Sequence, residues 1–399
     1  MNNLKDIFIE NLQSVNLKNK KCIVRVDFNV PLSDENELLD DTRIKTVKKT
    51  IDFLISKKAK VILISHMGRP KGKPDPNLSL AKIIDSIELI LKYKIHLIDI
   101  NQSDEFIHNS ISDIKSNQVI MFENIRFNPE EESYSDKFSK YLSSFGDIYI
   151  NEAFAVSHRN HSSITGIPKF IPGFMGYMMY KEFISISNQS SQLSKNSICI
   201  FGGAKISDKI QILNNFLGKV ECIAIGGGMI KEFAHYLNSK NVSLKKNNII
   251  HEILNNNKTK ILIPKDVMIN NENLKPKYII KNLNEVLTED NIVDIGPKTI
   301  DFYSNSIKNC SYILWNGPMG IFENPNSNKG TSAIARAISE NNNAYSVAGG
   351  GSTVQAINQF ISIKDLSHVS TGGGAFMEYI ENGTLPGINA IIQNRNSYE

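Results

Sequence analysis

Short apolar runs alternate with amphipathic stretches along the first half of the chain. The apolar runs cover residues 22–30, 60–65, 96–100, 118–124 and 147–153, and the intervals between them are long enough for crossover helices. Residues 42–58 form one such interval, in which apolar side chains recur at helical spacing. Short, continuously apolar strands that alternate with helices predict a parallel sheet covered by helices on both faces.

The second half repeats this pattern, with apolar runs that nearly all end in glycine or Gly-Pro. These runs cover residues 197–203, 221–228, 260–266, 312–318 and 344–351, and triple glycines stand at 226–228, 349–351 and 372–374. At the carboxyl end of a parallel strand, glycine lets the backbone approach a phosphate, and the next helix offers free N–H groups. The pattern therefore predicts a second α/β domain that binds a nucleotide-type ligand.

A helical pattern at about 174–187 runs into a polar stretch rich in Ser and Gln. We interpret residues 173–195 as the boundary, where a linker helix joins two domains. The length of 399 residues agrees with two domains, because one domain usually takes about 100–200 residues.

Composition and charge exclude several classes of function. The formal charge of +4 is small for this length and gives no case for a nucleic-acid partner. The four cysteines include no close pair, so neither a zinc site nor a disulfide framework is indicated. The first residues carry charges where a signal peptide needs an apolar core, and residues 341–363, the longest uncharged stretch, are too polar to span a membrane. We therefore expect a cytoplasmic protein.

Arginine is rare in this chain, and most of it is in the first 160 residues. Lys and Arg together number 45, of which seven are arginines, and five of these are Arg25, Arg43, Arg69, Arg126 and Arg159. Arginine is required where a planar, bidentate contact with an anion is needed. The distribution indicates an anion site in the first half, although any single arginine can equally be an ordinary surface residue.

Two common phosphate-binding motifs and a zinc site are not indicated. The chain contains neither G-x-x-x-x-G-K-[ST] nor G-x-G-x-x-G, which excludes a P-loop and weakens a dinucleotide-binding interpretation. His158 and His161 are three residues apart, but no third zinc ligand is visible near them.

Nine stretches together resemble the phosphoglycerate kinase family over nearly the whole chain. They are RVDFNVPL (25–32), SHMGRP (65–70), ENIRF (123–127), AFAVSHRNHSS (153–163), FGGAKISDKI (201–210), GGGM (226–229), DIGPKT (294–299), WNGPMGIFE (315–323) and VSTGGGAF (369–376). The resemblance implies a monomer with two Rossmann-like domains that close about a hinge across a cleft. It implies reversible phosphoryl transfer between 1,3-bisphosphoglycerate and ADP, which gives 3-phosphoglycerate and ATP in glycolysis and gluconeogenesis.

The resemblance also implies which part of the chain binds each ligand. Residues 1–173 would bind 3-phosphoglycerate or 1,3-bisphosphoglycerate, 174–195 would form the interdomain helix and linker, and 196–379 would bind the nucleotide with Mg²⁺. Residues 380–399 would return to the N-terminal domain.

Each implied site residue comes from a matching motif. The substrate would be bound by Asp27, Asn29, Arg43, His66, Arg69, Arg126 and Arg159, with Arg25 in support. Asp27 could instead, or in addition, form a structural salt bridge with Arg25, and His66 and His161 could be structural. Catalysis would use Arg43, Lys205, Gly372, Gly373 and Gly374. The nucleotide would be bound by Lys205, Lys209, Gly226, Gly227, Gly228, Asn316, Pro318, Glu323, Gly349, Gly350, Gly351, Ser352 and Thr353, whereas Trp315 is expected to be a core residue.

Three positions depart from the family pattern. Glu152 stands where Asp is usual and Ala155 where Gly is usual, which puts the packing around Arg159 in doubt. Ser352 replaces the Asp that serves as the carboxylate for Mg²⁺. Three hypotheses follow: Ser352 ligates Mg²⁺ directly or through water, a nearby acid such as Asp208 takes over, or binding of the metal-nucleotide is weakened.

Two other functions remain open from the sequence. One is a phosphotransferase that acts on a different small acid. The other is a non-catalytic descendant that binds a nucleotide or a partner, an idea that Ser352 alone supports.

Overall fold

The computed structural model describes residues 7–14, 16–115, 118–187, 196–203, 205–239, 249–256, 258–271 and 276–395. The chain divides into two compact units. The first comprises Met1–Ile184 and Thr384–Glu399, and the second comprises Ser185–Gly383. None of the described helices is both long and apolar enough to cross a bilayer.

The first unit is built on a six-stranded parallel sheet. Its strands are β1 (Lys21–Val26), β2 (Lys60–Ile64), β3 (Lys94–Ile98), β4 (Gln118–Phe122), β5 (Ile148–Glu152) and β6 (Gly173–Met175), in the order β3-β4-β2-β1-β5-β6. Its helices are α1 (Thr42–Ser56), α2 (Ile84–Leu91), α3 (Asp104–Ser112), α4 (Pro129–Glu132), α5 (Asp136–Ser143) and α6 (Tyr177–Ser187). The periodic residues of α1, Ile44, Val47, Ile51 and Leu54, are buried in the core beside the sheet, as their helical spacing predicts.

The second unit has a six-stranded parallel sheet and a smaller antiparallel one. Its strands are β7 (Ser197–Phe201), β8 (Cys222–Ile225), β9 (Lys260–Leu262), β10 (Asp266–Asn270), β11 (Tyr278–Asn282), β12 (Asn291–Ile295), β13 (Tyr312–Asn316), β14 (Tyr345–Gly349) and β15 (His368–Ser370). The parallel sheet has the order β15-β14-β13-β7-β8-β9. The helices are α7 (Ile210–Phe216), α8 (Ile230–Asn238), α9 (Ile249–Leu254), α10 (Pro297–Lys308), α11 (Lys329–Glu340), α12 (Gly351–Phe360) and α13 (Gly373–Asn382).

The antiparallel sheet, of order β11-β10-β12, was not predicted from the sequence. No residue of β11 is buried, and its sequence, YIIKN, ends in two polar residues in place of the continuous apolar run of a strand buried on both faces. The predicted run 260–266 is also divided, because β9 ends at Leu262 and β10 begins at Asp266.

The division between the two units, after Ile184, falls within the predicted boundary 173–195, and the chain returns to the first unit at Thr384, close to the predicted 380. Most of α6 belongs to the first unit, where Phe8 stacks on Tyr180 with ring centroids 3.9 Å apart. The C-terminal helix Pro386–Arg395 also belongs to the first unit, and Gly387 donates its N–H to Ser157 O at 2.8 Å. The chain therefore returns to its first unit after Gly383.

Candidate active site

A cavity of about 470 Å³ lies in the first unit, beyond the carboxyl ends of its central strands. It is lined by residues that follow β1, β2, β4 and β5, which are neighbours in the sheet, and by one residue from the first turn of α1. The structure brings together here all seven residues predicted to bind the substrate: Asp27, Asn29, Arg43, His66, Arg69, Arg126 and Arg159.

Arg43 is held in place by the residues that follow β1. Its Nη1 donates to Asp27 Oδ2 at 2.8 Å and to Asn29 O at 2.9 Å. Asn29 Oδ1 in turn accepts the N–H of Gly68 at 2.9 Å. The carboxylate of Asp27 is buried, whereas 34% of the Arg43 side chain is exposed. Asp27 thus orients an accessible guanidinium, and it forms its ion pair with Arg43 instead of Arg25.

Arg25 is completely buried and supports the cavity without lining it. Its Nε donates to Ser163 Oγ at 2.8 Å, its Nη1 donates to Val26 O, and its Nη2 lies 3.3 Å from His66 Nδ1. Ser163 Oγ also donates to the buried carboxylate of Glu131 at 2.6 Å. This network fixes the strand end from which Asp27 extends.

The histidines at the cavity are held in the neutral form. Burial, reinforced by the surrounding arginines, lowers the pKa of His66 well below its usual value and lowers the pKa of His161 to about 3. Burial and the charge of a neighbouring arginine also lower the pKa of His158. The formal charge of the lining therefore comes from four guanidinium groups against two carboxylates, those of Asp27 and Glu132.

Several polar atoms at this cavity are not fully satisfied by the protein. Among the described residues, five buried side-chain polar atoms have no hydrogen-bond partner, and three of them, Arg126 Nε, His158 Nδ1 and His161 Nδ1, belong to residues that line the cavity. Arg126 Nε lies 3.1 Å from Glu132 Oε1, in an ion pair without hydrogen-bond geometry. Unsatisfied polar groups are rare in proteins, so their concentration here is consistent with a site that takes a polar ligand.

The sequence did not identify Glu132 or His158 as site residues. His158 stands within the matched motif 153–163, but without a third metal ligand nearby it gave no chemical signal. Glu132 follows two other glutamates in α4, and nothing in the local sequence shows that it, and not its neighbours, reaches Arg126.

In the second unit, the glycine-rich loops pack so closely that side chains are excluded. A Cβ atom at Gly202 would lie 1.9 Å from Pro318 O, and one at Gly317 would lie 2.3 Å from Gly202 O. Gly317 also has a φ of +97°, which disfavours other residues. The N–H of Gly202 donates to Asn316 O at 2.9 Å, so the ends of β7 and β13 form one continuous backbone surface.

Lys209 and the end of β14 are linked through Asn316. Lys209 Nζ donates to Asn316 Oδ1, and Asn316 Nδ2 donates to Gly349 O at 2.6 Å. The hydroxyl of Thr353 is buried and accepts the N–H of Gly317 at 2.8 Å. Asn316 and Thr353 therefore have structural contacts within the loops, whatever they contribute to a ligand.

The other residues predicted to bind the nucleotide, and the three glycines predicted to act in catalysis, follow strands of the same parallel sheet. Gly226, Gly227 and Gly228 follow β8, Pro318 and Glu323 follow β13, Gly350, Gly351 and Ser352 follow Gly349 at the end of β14, and Gly372, Gly373 and Gly374 follow β15. Lys205, Glu323 and Ser352 are exposed. Trp315 is completely buried, as expected for a core residue.

The described donors fit a Mg²⁺ ion that arrives with a nucleotide. No three His, Cys, Asp or Glu side chains within the described ranges lie close enough to hold a metal ion. Ser352, the residue predicted to meet the metal, offers an exposed hydroxyl in the first turn of α12. Mg²⁺ accepts such an oxygen when phosphates and waters complete its octahedron. The side chain of Asp208, the alternative ligand, lies outside the described residues.

The model of the family described as phosphoglycerate kinase matches residues 12–383. The sequence is 40% identical to the phosphoglycerate kinase of Dictyoglomus turgidum over 396 residues, which cover 97% of this chain and 99% of the relative. The chain belongs to the phosphoglycerate kinase family. It is also 37% identical to the phosphoglycerate kinase of Clostridium botulinum, over 95% of this chain and 98% of the relative.

Solved phosphoglycerate kinases share the fold over nearly the full length. The enzyme from Coxiella burnetii superposes with a TM-score of 0.84 at 30% identity and covers 96% of this chain and 98% of its own. The enzyme from Pyrococcus horikoshii superposes with a TM-score of 0.77 at 28% identity, over 98% and 100% of the two chains.

Glu152, one of the departures from the family pattern, bonds to the start of α6. The Glu152 carboxylate is buried and accepts the N–H groups of Met178 (3.1 Å) and Met179 (2.8 Å), in the first turn of α6. The other departure in this segment, Ala155, does line the cavity. Glu152 therefore links the end of β5 to α6, which the sequence did not indicate.

Proposed function

We propose that this chain catalyses the reversible transfer of a phosphoryl group between 1,3-bisphosphoglycerate and ADP, which gives 3-phosphoglycerate and ATP. The observation that carries the proposal is the cavity lined by four arginines, within a chain of the phosphoglycerate kinase family. The alternative of a non-catalytic descendant rests on Ser352 alone, and no comparison supports it.

The cavity has the charge and chemistry that 3-phosphoglycerate needs. The phosphate and the carboxylate of 3-phosphoglycerate are anions that guanidinium groups bind with paired hydrogen bonds. We propose that Arg69, Arg126 and Arg159, with His66, hold the phosphate and that Asp27 and Asn29 meet the hydroxyl and carboxyl end. Because the cavity histidines are neutral, its positive charge should persist across the physiological pH range.

Phosphoryl transfer requires positioned positive charge from the protein and little covalent catalysis. The transferring group spreads negative charge over its equatorial oxygens while the carboxylate oxygen and the terminal oxygen of ADP stand in line. We propose that Arg43 meets this charge from the substrate side. Its orientation by Asp27 means that little reorganisation is needed as the charge develops.

The strand ends of the second unit suit a nucleotide phosphate chain. We propose that Lys205 and Lys209 bind the phosphates and that the glycine-rich loops after β8, β13 and β14 bind the base, the ribose and the remaining phosphate oxygens. Gly372, Gly373 and Gly374 stand at the start of α13, and N–H groups in the first turn of a helix stabilise an anion. When bound, Mg²⁺ neutralises phosphate charge, and Ser352 would hold it directly or through water.

A coupled assay with 3-phosphoglycerate and MgATP tests the proposal. The wild type should turn over, and Arg43→Ala should lower kcat by about 10²–10³, the usual cost of one charge-stabilising group. Arg336→Ala is the matched control, because this guanidinium is exposed on α11 of the second unit and is not among the residues that line the cavity. Equal rates for the two variants, or no turnover by the wild type at high protein and Mg²⁺ concentrations, would contradict the proposal.

We further propose a cytoplasmic monomer that uses Mg²⁺ with its nucleotide. Sedimentation of the purified chain checks the oligomeric state. A Mg²⁺ titration of wild type against Ser352→Asp checks the metal requirement. A lower Mg²⁺ optimum in Ser352→Asp would mean that the serine weakens metal binding, and an unchanged requirement would exclude that hypothesis.

A further inference from the structure

Lys205 stands at the start of a turn that its own side chain cannot cap. The turn is the short 3-10 helix Ile206–Asp208, and Lys205 precedes it in an extended conformation with φ −137° and ψ 147°. The first N–H groups of such a turn have no partner within it. A capping side chain at the position of Lys205 would bond to the second or third N–H and not to the first, and a lysine ammonium has no acceptor atom at all, so the N–H of Ile206 needs a partner from elsewhere.

That partner is Glu232, from the first turn of the neighbouring helix α8. Its Oε1 accepts the Ile206 N–H at 2.8 Å, and the side chain is half-buried. A carboxylate in the first turn is favoured by the positive end of the helix dipole. A hydrogen bond to a charged acceptor is also stronger than one between neutral groups. Glu232 therefore acts as the cap of the turn that begins after Lys205.

A second contact ties the same two segments together on the other side of Lys205. The N–H of Met229 donates to Gly203 O at 3.2 Å. A Cβ atom at Gly227 would lie 2.7 Å from Gly203 N, so these backbones already touch. Lys205 is therefore bracketed by backbone attachments at Gly203 and Ile206.

Lys209 depends on the same turn. Its N–H donates to Ile206 O at 2.8 Å, and its ammonium reaches Asn316. A shift of Ile206 would consequently displace both lysines that the proposed function places on the nucleotide phosphates.

We propose that Glu232 is a positioning residue for phosphoryl transfer, which fixes Lys205 and Lys209 through its hydrogen bond to the Ile206 N–H. This inference rests on the proposed function. Glu232 acts through the two lysines and makes no contact with the reacting atoms. Its loss should therefore affect steps that involve the nucleotide and leave 3-phosphoglycerate binding unchanged.

The test compares Glu232→Ala, Glu232→Gln and the control Glu252→Ala, which removes an exposed carboxylate from α9 in the same unit. Glu232→Ala should lower kcat about tenfold and raise the KM for MgATP several-fold, because one hydrogen bond to a charged group is lost. The KM for 3-phosphoglycerate should not change. Glu232→Gln keeps an oxygen acceptor and should remain within about twofold of the wild type, as should Glu252→Ala.

Two further measurements separate positioning from general stability. In a Lys205→Ala background, Glu232→Ala should have a much smaller effect, since residues that act together are not additive. MgADP binding, followed by calorimetry, should weaken in Glu232→Ala and not in Glu232→Gln. If Glu232→Ala does not fold, Glu232→Asp replaces it, because its shorter carboxylate does not reach Ile206 from the same backbone.

The inference is overturned if Glu232→Ala lowers the unfolding temperature but leaves kcat, the KM for MgATP and MgADP binding as in the control. It is also overturned if Glu232→Gln is impaired as much as Glu232→Ala. Absence of turnover in the wild type would contradict the proposed function, and the MgADP comparison would still decide the role of Glu232.

Discussion

Burial and hydrogen bonding act on the Glu152 carboxyl in opposite directions. Burial raises its pKa to about 7, although Thr50 and the N–H groups at the start of α6 favour the charged form. There is also no spare room, because a Cβ atom at Gly176 would lie 2.2 Å from Glu152 Cδ. The residue is thus a buried acid that joins β5, α1 and α6 and that titrates near neutral pH.

We predict that Glu152 makes the first unit less stable as the pH rises. The folded pKa of about 7 lies above the ordinary value of 4.5, so the folded state binds more protons than the unfolded state between these values. The stabilisation is complete below pH 4.5 and is lost as the pH rises through 7, by about 1.4 kcal/mol for each unit of pKa difference. Glu152→Gln should flatten this slope.

Urea unfolding of the first unit at several values between pH 4 and 8.5 measures the effect. Glu35→Gln is the control, because Glu35 is exposed in the same unit. Other buried acids contribute to the slope of the wild type, so the difference between wild type and Glu152→Gln is the quantity that matters. Parallel curves for these two proteins would contradict the prediction.

Individual residues show which parts of the site could be predicted from the sequence and which could not. The scarcity of arginine pointed to five residues of the first half, and the structure places four of them, Arg43, Arg69, Arg126 and Arg159, at one cavity, whereas Arg25 is buried and does not line it. The hydrogen-bond partners of the buried Glu152 and the half-buried Glu232 could not be predicted, since each carboxylate bonds to a segment more than 20 residues away in sequence. Those contacts depend on how helices pack, which no local pattern encodes.

At the scale of elements, the glycine-rich strand ends are built for close backbone contact. The strands that the apolar runs predict are present because a parallel strand buried on both faces needs a continuous apolar sequence. The antiparallel sheet was missed because no residue of β11 is buried and its three apolar residues are followed at once by Lys281 and Asn282, so the strand has no long apolar run to detect. The loops after the parallel strands were marked by glycine, but only the structure shows which glycines are under steric constraint.

We predict that Gly350→Ala destabilises the second unit by about 1–3 kcal/mol, the usual cost of a strained backbone or a forced contact. Gly350 has a φ of +101°, and a Cβ atom there would lie 2.7 Å from Asn316 Nδ2, which is itself bonded to Gly349 O. Gly351→Ala is the matched control for stability, because a Cβ atom at Gly351 meets nothing within 4 Å. Urea unfolding of both variants checks this, and equal losses of stability would contradict it.

At the scale of the whole molecule, the first unit is assembled from both ends of the chain. Its C-terminal segment contributes Leu385, Ile388 and Ile391, which are buried, and Gly387 donates its N–H to Ser157 O. Ser157 directly precedes His158 and Arg159, two residues of the cavity. The last segment of the chain thus supports the loop that carries part of the proposed substrate site, although it follows the whole of the second unit in sequence.

We predict that Ile391→Ala weakens the first unit and leaves the second intact. The side chain of Ile391 is completely buried and lies beside Gly173, so its removal should cost about 2–5 kcal/mol. Each ligand stabilises the unit that binds it. Under the proposed function, 3-phosphoglycerate should therefore protect the first unit of the variant from unfolding only at higher concentrations. The protection of the second unit by MgADP should be unchanged. Ile363→Ala is the control, since Ile363 is 46% exposed in the second unit. Calorimetric scans with each ligand separately would contradict the prediction if Ile391→Ala shifted the protection by MgADP as much as that by 3-phosphoglycerate.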